Sequence, residues 1–285
     1  MLRFIVLILC VGTLTAAGQR PAQDVLEGLV REGYQLMQEQ KFDEAREKLT
    51  KAITASGLQE SQDFHALYFR AVCNFYLEDP KAAIEDVSLY LTRFPDSARP
   101  YLLRATCYRN LDDIQGQLRD LDLALSKQPE EGEEVDPQIY RWRGGIYLEL
   151  QKYDSAAADI NRSLAINVDP EGLAMKGFVQ YNQGRYDSAI VSVNQAIELD
   201  YTYLSSYLYG SSFCLQEGDY RSALVYADLG LRLDDSNYRL WFYRGISLIE
   251  TDRIDKGCSA LNKAFYNGID EAGDYLSEYC YKLDR

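Results

Sequence analysis

Small and aromatic residues recur along the chain with a period of 34 residues. The stretches 177–196 and 211–230 carry the same pattern at this offset: a small residue, then Gly-x-Tyr-x-Ser-Ala, then another small residue. The same frame fits stretches that begin at Gly33, Gly144 and Gly245. Self-similarity at such a period is typical of repeat arrays, in which each unit packs against its neighbours. The length of the chain therefore indicates a number of repeats and not a number of compact domains.

Seven repeats and a terminal segment account for most of the chain. Short insertions lie at 60–63 and 132–136, and residue 170 is shared by two repeats. After Gly268, apolar residues recur at helical spacing, which predicts a capping helix over 270–283 that covers the end of the stack. The predicted repeats span 26–59, 64–97, 98–131, 137–170, 170–203, 204–237 and 238–271.

This pattern resembles the tetratricopeptide repeat, a helix–turn–helix of 34 residues with an aromatic residue at position 4 and small residues at positions 8, 20 and 27. Position 4 holds Tyr101, Tyr140, Tyr207 and Trp241, and position 8 is Gly, Ala or Ser in all seven repeats. The resemblance implies an all-α fold, an α-solenoid in which helix A and helix B of each repeat wind into a right-handed superhelix.

Three residues depart from the repeat pattern. Pro80 replaces the aromatic residue at position 17, Gln117 the small residue at position 20, and Tyr90 the small residue at position 27. We expect these departures to affect the geometry of the second and third repeats.

Charged residues also follow the repeat. Arginine at position 7 coincides with aspartate at position 23 in three repeats, whereas the first repeat reverses the signs with Glu32 and Lys48. The pattern predicts structural ion pairs between helix A and helix B, and the alternative is a coincidence of composition. The predicted pairs are Arg70–Asp86, Arg104–Asp120 and Arg143–Asp159.

Residues 1–17 contain a basic residue, an apolar run and small residues in the order that is typical of a secretory signal peptide. Arg3 precedes an apolar run, Phe4 to Val11, and small residues follow up to Ala17. The run is too short to cross a hydrocarbon core of roughly 30 Å as a helix. We therefore predict cleavage near Ala17 and an exported product, periplasmic or extracellular.

A flexible linker is predicted over 18–25, after the cleavage site. Two alternatives to cleavage stay open. One is a lipid anchor on Cys10, although this cysteine follows Leu9 and not a small residue. The other is a retained N-terminal anchor. No later apolar stretch is long enough for a membrane span in the mature chain.

Composition narrows the possible chemistry. The 285 residues include 44 acidic side chains against 30 Lys or Arg, a net charge of −14, which argues against nucleic acid as a partner. The single histidine, His65, cannot form a multi-histidine metal site or favour a His-based triad. The chain has no phosphate loop, dinucleotide fingerprint or Cys-x-x-Cys. We expect no cofactor, no metal and no enzymatic activity; a hydrolase would need paired carboxylates on facing inner positions, and none stands out.

The cysteines allow one candidate disulfide. Cys73 and Cys107 occupy position 10 of adjacent repeats, and stacked helices roughly 10 Å apart exceed the reach of a disulfide. Residues 255–264 together with Tyr279 and Cys280 look like the terminal repeat of many exported bacterial tetratricopeptide proteins. Cys258 on the last helix B and Cys280 on the cap could meet there.

In this family, helix A positions 2, 5, 9, 12 and 13 line the concave face. Aromatic and arginine side chains on such a face are typical anchors for protein partners; the alternative is that part of the face packs between neighbouring repeats. The resemblance therefore implies a non-enzymatic scaffold of the cell envelope with a peptide or protein in its groove. An accessory factor of envelope assembly or secretion, docking through the convex face, is the alternative. The candidate groove residues are Tyr34, Tyr68, Phe75, Tyr76, Arg109, Arg141, Phe178, Tyr181 and Phe242.

Overall fold

The computed structural model describes residues 20–58, 63–127 and 135–281, and it confirms the all-α solenoid. These residues form α-helices and one π-helical segment, with no strand among them. The chain divides into two compact units, unit 1 up to Glu133 and unit 2 from Glu134. Unit 1 contains α1 (Arg20–Gln38), α2 (Phe42–Ser56), α3 (Phe64–Tyr76), α4 (Pro80–Arg93), α5 (Ala98–Asn110) and α6 (Ile114–Ser126). Unit 2 contains α7 (Pro137–Glu149), α8 (Tyr153–Ile166), α9 (Pro170–Asn182), α10 (Tyr186–Leu199), α11 (Leu204–Gln216), α12 (Tyr220–Leu233), α13 (Tyr238–Ile249), α14 (Ile254–Phe265), α15 (Glu271–Tyr275) and the π-helical segment Leu276–Cys280.

Helices pack in sequential pairs within each unit. The odd-numbered helices α1 to α13 are the A helices, and the even-numbered helices α2 to α14 are the B helices. Each A helix packs against the B helix that follows it, and within a unit each B helix packs against the next A helix. Every helix of the stack therefore depends on its neighbours in sequence.

All seven A helices end in the same turn. The residue at repeat position 15 has a left-handed backbone, with φ between 56° and 78°. The N–H at position 16 donates to the carbonyl at position 11, at 2.8 or 2.9 Å. This hydrogen bond is that of a Schellman motif, which fixes the direction in which the chain leaves the helix. Gly184 and Gly218 adopt the conformation without a Cβ penalty, whereas the other repeats place a polar residue there.

Small residues allow helix A and helix B to approach closely. A Cβ atom added to Gly33 would lie 2.7 Å from Leu49 Cγ, and one added to Gly245 would lie 2.7 Å from Leu261 Cγ. Leu49 and Leu261 are fully buried, so neither side chain has free space into which it could move. The glycine at position 8 therefore sets the distance between the two helices of a repeat.

Position-7 arginines meet position-23 aspartates in the second, third and fourth repeats. Arg104 Nε donates to Asp120 Oδ2 at 2.6 Å and Nη2 donates to Oδ1 at 2.8 Å. The Asp120 side chain is fully buried, and its hydrogen bond to Arg104 raises the pKa of that guanidinium. The other two pairs, Arg70–Asp86 and Arg143–Asp159, have the same two-pronged geometry at 2.6 to 2.8 Å. Such pairs are directional as well as attractive.

The same arginines also reach the preceding repeat. Arg104 Nη1 donates to Ser88 Oγ at 2.9 Å, and Ser88 lies on the preceding B helix at position 25. The seventh repeat has alanine at position 23, and its Arg244 Nε donates instead to Asp228 Oδ1 of the sixth repeat at 2.6 Å. A position-7 arginine can therefore join its own A helix to two successive B helices.

The departures at positions 17 and 20 are accommodated locally. Pro80 is the first residue of α4, where proline is tolerated, and Asp79 caps this helix by accepting from Ala82 N at 3.1 Å. Gln117 is buried, and Gly116 beside it lets the chain approach Tyr108 closely: an added Cβ would lie 2.7 Å from the ring of Tyr108.

The cap differs from the single α-helix predicted over 270–283. The α-helix ends at Tyr275 and a π-helical turn follows, in which Tyr281 N donates to Leu276 O at 3.0 Å. Ala272 and Leu276 are buried against the last repeat, and a disulfide joins Cys280 to Cys258 on α14. A π-turn holds one extra residue, so it rotates the residues that follow it relative to Leu276. This rotation brings Cys280 towards α14 while Leu276 stays in the core.

The N-terminal prediction needs one correction. Helix α1 begins at Arg20, inside the predicted linker 18–25, because Pro21 is tolerated in a first turn and the residues after it favour a helix. The predicted signal peptide, 1–17, lies outside the described residues. Within the described residues, no helix is both long and apolar enough to cross a membrane.

We predict that the Arg104–Asp120 pair couples the helices energetically. Asp120→Ala leaves a half-buried guanidinium without its partner, so the free energy of unfolding should fall by about 3 kcal/mol. A double-mutant cycle with Arg104→Ala, measured by urea denaturation, should give a coupling energy above about 1 kcal/mol. The exposed pair Glu32–Lys48, with the same spacing and reversed signs, is the matched control and should show much weaker coupling. Equal coupling in the two cycles would contradict a structural role for the buried pair.

We also predict that the disulfide holds the cap on the last repeat. The bond closes a loop between residues 22 positions apart, so removing it should cost the cap about 3 kcal/mol. Reduction should accelerate amide hydrogen exchange over 254–280. The variant Cys258→Ser/Cys280→Ser should exchange equally fast with or without the reductant. Mass spectrometry of unreduced protein that finds both thiols free would rule the bond out.

Candidate functional site

The A helices form a continuous surface in each unit. In unit 1, α3 contacts both α1 and α5, and in unit 2 the helices α7, α9, α11 and α13 contact one another in order. Side chains that project from these helices away from the B helices therefore lie side by side. We call this surface the A-helix face, and it carries most of the candidate groove residues.

Aromatic rings run across the A-helix face of unit 1. The ring of Tyr34 on α1 lies 5.2 Å from that of Phe69 on α3, and Tyr68 lies 5.4 Å from Tyr90 on α4. Tyr68 is half-buried and Tyr90 is buried, so neighbouring rings fix their orientation. His65 is exposed, and its ring stacks on Phe94 at 5.0 Å. We call these rings the unit 1 aromatic cluster, and it consists of Tyr34, His65, Tyr68, Phe69, Tyr90 and Phe94.

Tyr76 presents an exposed ring at the end of α3. This residue is 54% exposed, and its ring stacks on Phe42 of the preceding repeat at 4.4 Å with an interplanar angle of 11°. Phe75 beside it packs against the core of unit 1, and Arg109 is exposed in the last turn of α5. Of these three candidates, Tyr76 combines an accessible aromatic surface with a fixed orientation.

Unit 2 has its own cluster on α9 and α11. Tyr181 stacks on Phe213 at 4.4 Å, with an interplanar angle of 2°, and Phe178 lies 5.3 Å from Tyr209. The Tyr181 hydroxyl donates to Gln216 Oε1 at 2.8 Å. Burial, followed by the nearby Glu217 carboxylate, raises the pKa of Tyr181, so its hydroxyl stays a neutral donor. We call Phe178, Tyr181, Tyr209 and Phe213 the unit 2 aromatic cluster.

Arg141 does not have the predicted role in the groove. Its side chain is only 10% exposed, and Nη1 donates to Asp169 Oδ2 at 2.7 Å and to Ser163 Oγ at 3.0 Å. Glu171 accepts from Nε at 3.1 Å. The guanidinium therefore joins α7 to the end of α8 and the start of α9, and an incoming partner could reach it only by breaking these bonds.

Phe242 is also unavailable to a partner. It is 7% exposed and packs with Ile246 and Leu276, while Tyr275 of α15 meets its ring edge-on at 5.8 Å. The cap covers the position that lines the groove in the preceding repeats. Phe242 is therefore a core residue of the terminal repeat.

Of the ten aromatic rings in the two clusters, the candidate groove residues include four: Tyr34, Tyr68, Phe178 and Tyr181. Phe69, Tyr209 and Phe213 occupy positions 6 and 10, which the family pattern does not assign to the inner face. Tyr90 offered a signal, since a large residue replaces a small one at position 27. Its bulk lies against His65, Tyr68 and Phe94, so this departure helps to build the unit 1 aromatic cluster.

The chemistry of the A-helix face suits binding. Its described groups are aromatic rings, amides, carboxylates and guanidinium groups such as that of Arg109. No cluster of His, Cys, Asp or Glu among the described residues could hold a metal ion. Burial raises the pKa of the Cys73 thiol to about 12 and that of the Cys107 thiol to about 11. Both thiols are therefore protonated at neutral pH and behave as small apolar side chains.

Comparisons with known proteins agree with this architecture. Sequence profiles of the tetratricopeptide repeat match residues 30–98 in unit 1 and 170–203 in unit 2. No curated protein sequence matches the chain significantly. A solved tetratricopeptide repeat protein from Parabacteroides merdae is 17% identical and superposes with a TM-score of 0.66, covering 89% of this chain and 98% of that one.

Two further solved structures share the fold. YrrB, described as a TPR protein with an unusual peptide-binding site, is 17% identical with a TM-score of 0.51, over 68% of this chain and 99% of its own. PilW, described as a type IV pilus biogenesis factor, is 14% identical with a TM-score of 0.64, over 75% of this chain and 99% of its own. The profile matches in both units, together with helix pairs that recur every 34 residues, show that the chain contains tetratricopeptide repeats.

Proposed function

We propose that this protein is a non-enzymatic scaffold of the cell envelope that binds a protein or peptide partner on its A-helix face. The tetratricopeptide fold supports protein–protein interaction in general. The observation that carries the finer proposal is the exposed ring of Tyr76 stacked on Phe42, beside the unit 1 aromatic cluster. The peptide-binding site in the description of YrrB is consistent with such a role.

The energetics favour aromatic anchors on this face. Tyrosine is enriched at binding hot spots because it offers a large apolar surface and one polar group. Stacking already holds the Tyr76 and Tyr181 rings in place, so binding costs them little conformational entropy. Tyr34 and Tyr68, both half-buried, lie with Tyr76 on the A-helix face of unit 1.

Two features support export to the envelope. Residues 1–17 have the order of a signal peptide. The disulfide between Cys258 and Cys280 is the kind of bond that persists in an oxidising compartment. An accessory role in envelope assembly is a second candidate function, favoured by the fold shared with the pilus factor PilW.

A cross-linking experiment tests the A-helix face. A photoreactive phenylalanine analogue replaces Tyr76 in one variant and Tyr266 in a matched control, since both tyrosines are exposed and Tyr266 follows the B helix α14. The chain is expressed in its own organism, irradiated and analysed by mass spectrometry. We expect a discrete adduct with another protein from position 76 and little from position 266, because only position 76 lies on the proposed surface.

Tyr76→Ala should then reduce recovery of that partner about tenfold, since truncating an anchor typically costs about 1–2 kcal/mol of binding free energy. Circular dichroism should show that the helicity of this variant is unchanged. Equal adducts from the two positions, or full recovery with Tyr76→Ala, would contradict the proposed face.

Export is tested separately by the mature N-terminus. We expect N-terminal sequencing of the protein from the envelope or medium to start at or next to Gly18. The variant Val6→Arg/Leu7→Arg interrupts the apolar run and should leave the precursor uncleaved inside the cell. A mature chain that still begins at Met1 would contradict cleavage, and a lipid mass on Cys10 would favour the lipoprotein alternative.

A further inference from the structure

The sixth repeat lacks the position-7 arginine and has Gly210 there. In the third repeat, Arg104 lies between two successive B helices and bonds to both. In the sixth repeat the ring of Tyr226 packs against the glycine instead, since a Cβ on Gly210 would lie 2.7 Å from Tyr226 Cδ1. No side chain from position 7 therefore enters the space between α10 and α12.

An open cleft occupies this space on the B-helix side of unit 2. Its volume is about 530 Å³, and it runs between α10 and α12 with Ile190 and Tyr186 on one wall and Tyr226 on the other. A smaller cavity of about 70 Å³ lies between α8 and α9. Lys176 at position 7 of the fifth repeat lines this smaller cavity, whereas the described lining of the cleft includes no side chain from position 7.

Exposed valines flank the cleft. Val191 on α10 is 55% exposed and Val225 on α12 is 57% exposed, and both line the opening. They occupy position 22 of adjacent repeats. In the other repeats this position is charged or small: Glu47, Glu85, Arg119, Ala158 and Ser259. An apolar pair on the outer side of a B-helix layer therefore occurs where the cleft opens.

The charged residues that line the cleft are acidic, and Arg221 lies near enough to contribute to lowering the pKa of Asp219. Asp187 and Asp219 line the end at which α10 and α12 begin, and carboxylates are the only charged groups among the described lining residues. Ser222 donates its backbone N–H to Asp219 Oδ1 at 3.1 Å, and hydrogen bonds from Ser222 lower the pKa of Asp219. This carboxylate is consequently ionised at neutral pH.

The rest of the cleft is neutral. Tyr186 donates to Cys214 Sγ at 3.5 Å, and burial raises the pKa of both groups. Away from the acidic end, the Tyr226 hydroxyl donates to Asn194 Oδ1 at 2.8 Å and ties α12 to α10. The cleft is thus apolar along its middle and acidic at one end.

We propose that this cleft binds a short peptide segment of another protein, in which an aliphatic side chain stands next to Lys or Arg. The aliphatic side chain lies between Val191 and Val225, and the cation lies at Asp187 and Asp219. Charge complementarity favours this occupant. A second copy of a chain with net charge −14, or a nucleic acid, would bring like charge to an acidic rim. The proposal does not depend on the A-helix face, because it concerns a different surface.

Peptide titration by nuclear magnetic resonance tests the cleft. The probe is acetyl-Gly-Lys-Leu-Lys-Leu-Lys-Gly-amide, added to the purified isotope-labelled chain at low salt. One comparison peptide replaces each Lys by Glu, and another replaces each Leu by Gly. We expect amide shifts at Val191, Val225 and Tyr226 with the first peptide, and at least about fivefold weaker binding of the other two.

Three variants locate the binding determinants. Val191→Gln/Val225→Gln should weaken the probe about tenfold, because it removes the apolar walls without disturbing the core. Asp187→Asn/Asp219→Asn should weaken it about fivefold and reduce its salt dependence, while the new side-chain amide at position 219 still caps α12. Leu199→Gln is the matched control, since Leu199 is exposed on the same helix outside the cleft, and it should bind like the unaltered chain.

Two results would overturn the proposal. One is equal binding of the lysine and glutamate peptides, and the other is the absence of any shift on α10 and α12. Shifts confined to the A-helix face would assign the peptide to the surface under Proposed function and exclude the cleft. Conversely, shifts at the cleft with no cross-link from position 76 would support the cleft alone.

Discussion

In the second, third and fourth repeats, the relative positions of the helices depend on the arginine at repeat position 7. Apolar packing between helices is strong but has little directional preference, so it tolerates small rotations and shifts. The two-pronged bond from Arg104 to Asp120 does not, because a guanidinium and a carboxylate must be coplanar to share two hydrogen bonds. A third bond from the same group to Ser88 orients the preceding repeat as well. One side chain thereby fixes the relative positions of three helices.

Unit 2 shows what replaces this interaction. The fifth repeat has Ser192 at position 23, whose hydroxyl donates to Gln180 at 2.7 Å in the same buried layer. The sixth has Gly210 and Tyr226, an aromatic ring against a bare backbone. In the seventh, Arg244 bonds only across the repeat boundary, to Asp228. The helices remain paired in each case, because the left-handed turn at position 15 and the small residue at position 8 are retained in all seven repeats. At the sixth repeat, an open cleft lies between the B helices α10 and α12.

The repeat frame was predictable because the packing of helix A against helix B requires the same residue sizes at the same positions of every repeat. Where helix A and helix B approach closely, a small residue at position 8 faces a large residue at position 24, as Gly33 faces Leu49. The environment of single groove residues was less predictable. Arg141 on α7 donates a hydrogen bond to Asp169, the residue that caps α9. Phe242 is covered by Tyr275 of the cap. The repeat position of a residue on helix A does not indicate which other element of the chain packs over its side chain. For the same reason, Tyr90 was a departure from the repeat pattern in the sequence, although its ring packs within an aromatic cluster.

The abundance of tyrosine and the acidity of the chain have different structural consequences. Most rings near the A helices pack against other rings, so their faces are oriented before any partner arrives. Acidic groups, in contrast, are mostly exposed, and at the start of α12 Asp219 both caps the helix and charges the adjoining cleft. In a linear stack each repeat contacts only its neighbours, so the loss of an arginine at one position 7 changes one interface and leaves the others intact. A solenoid can therefore carry two surfaces of different chemistry, one on its A helices and the other between two of its B helices.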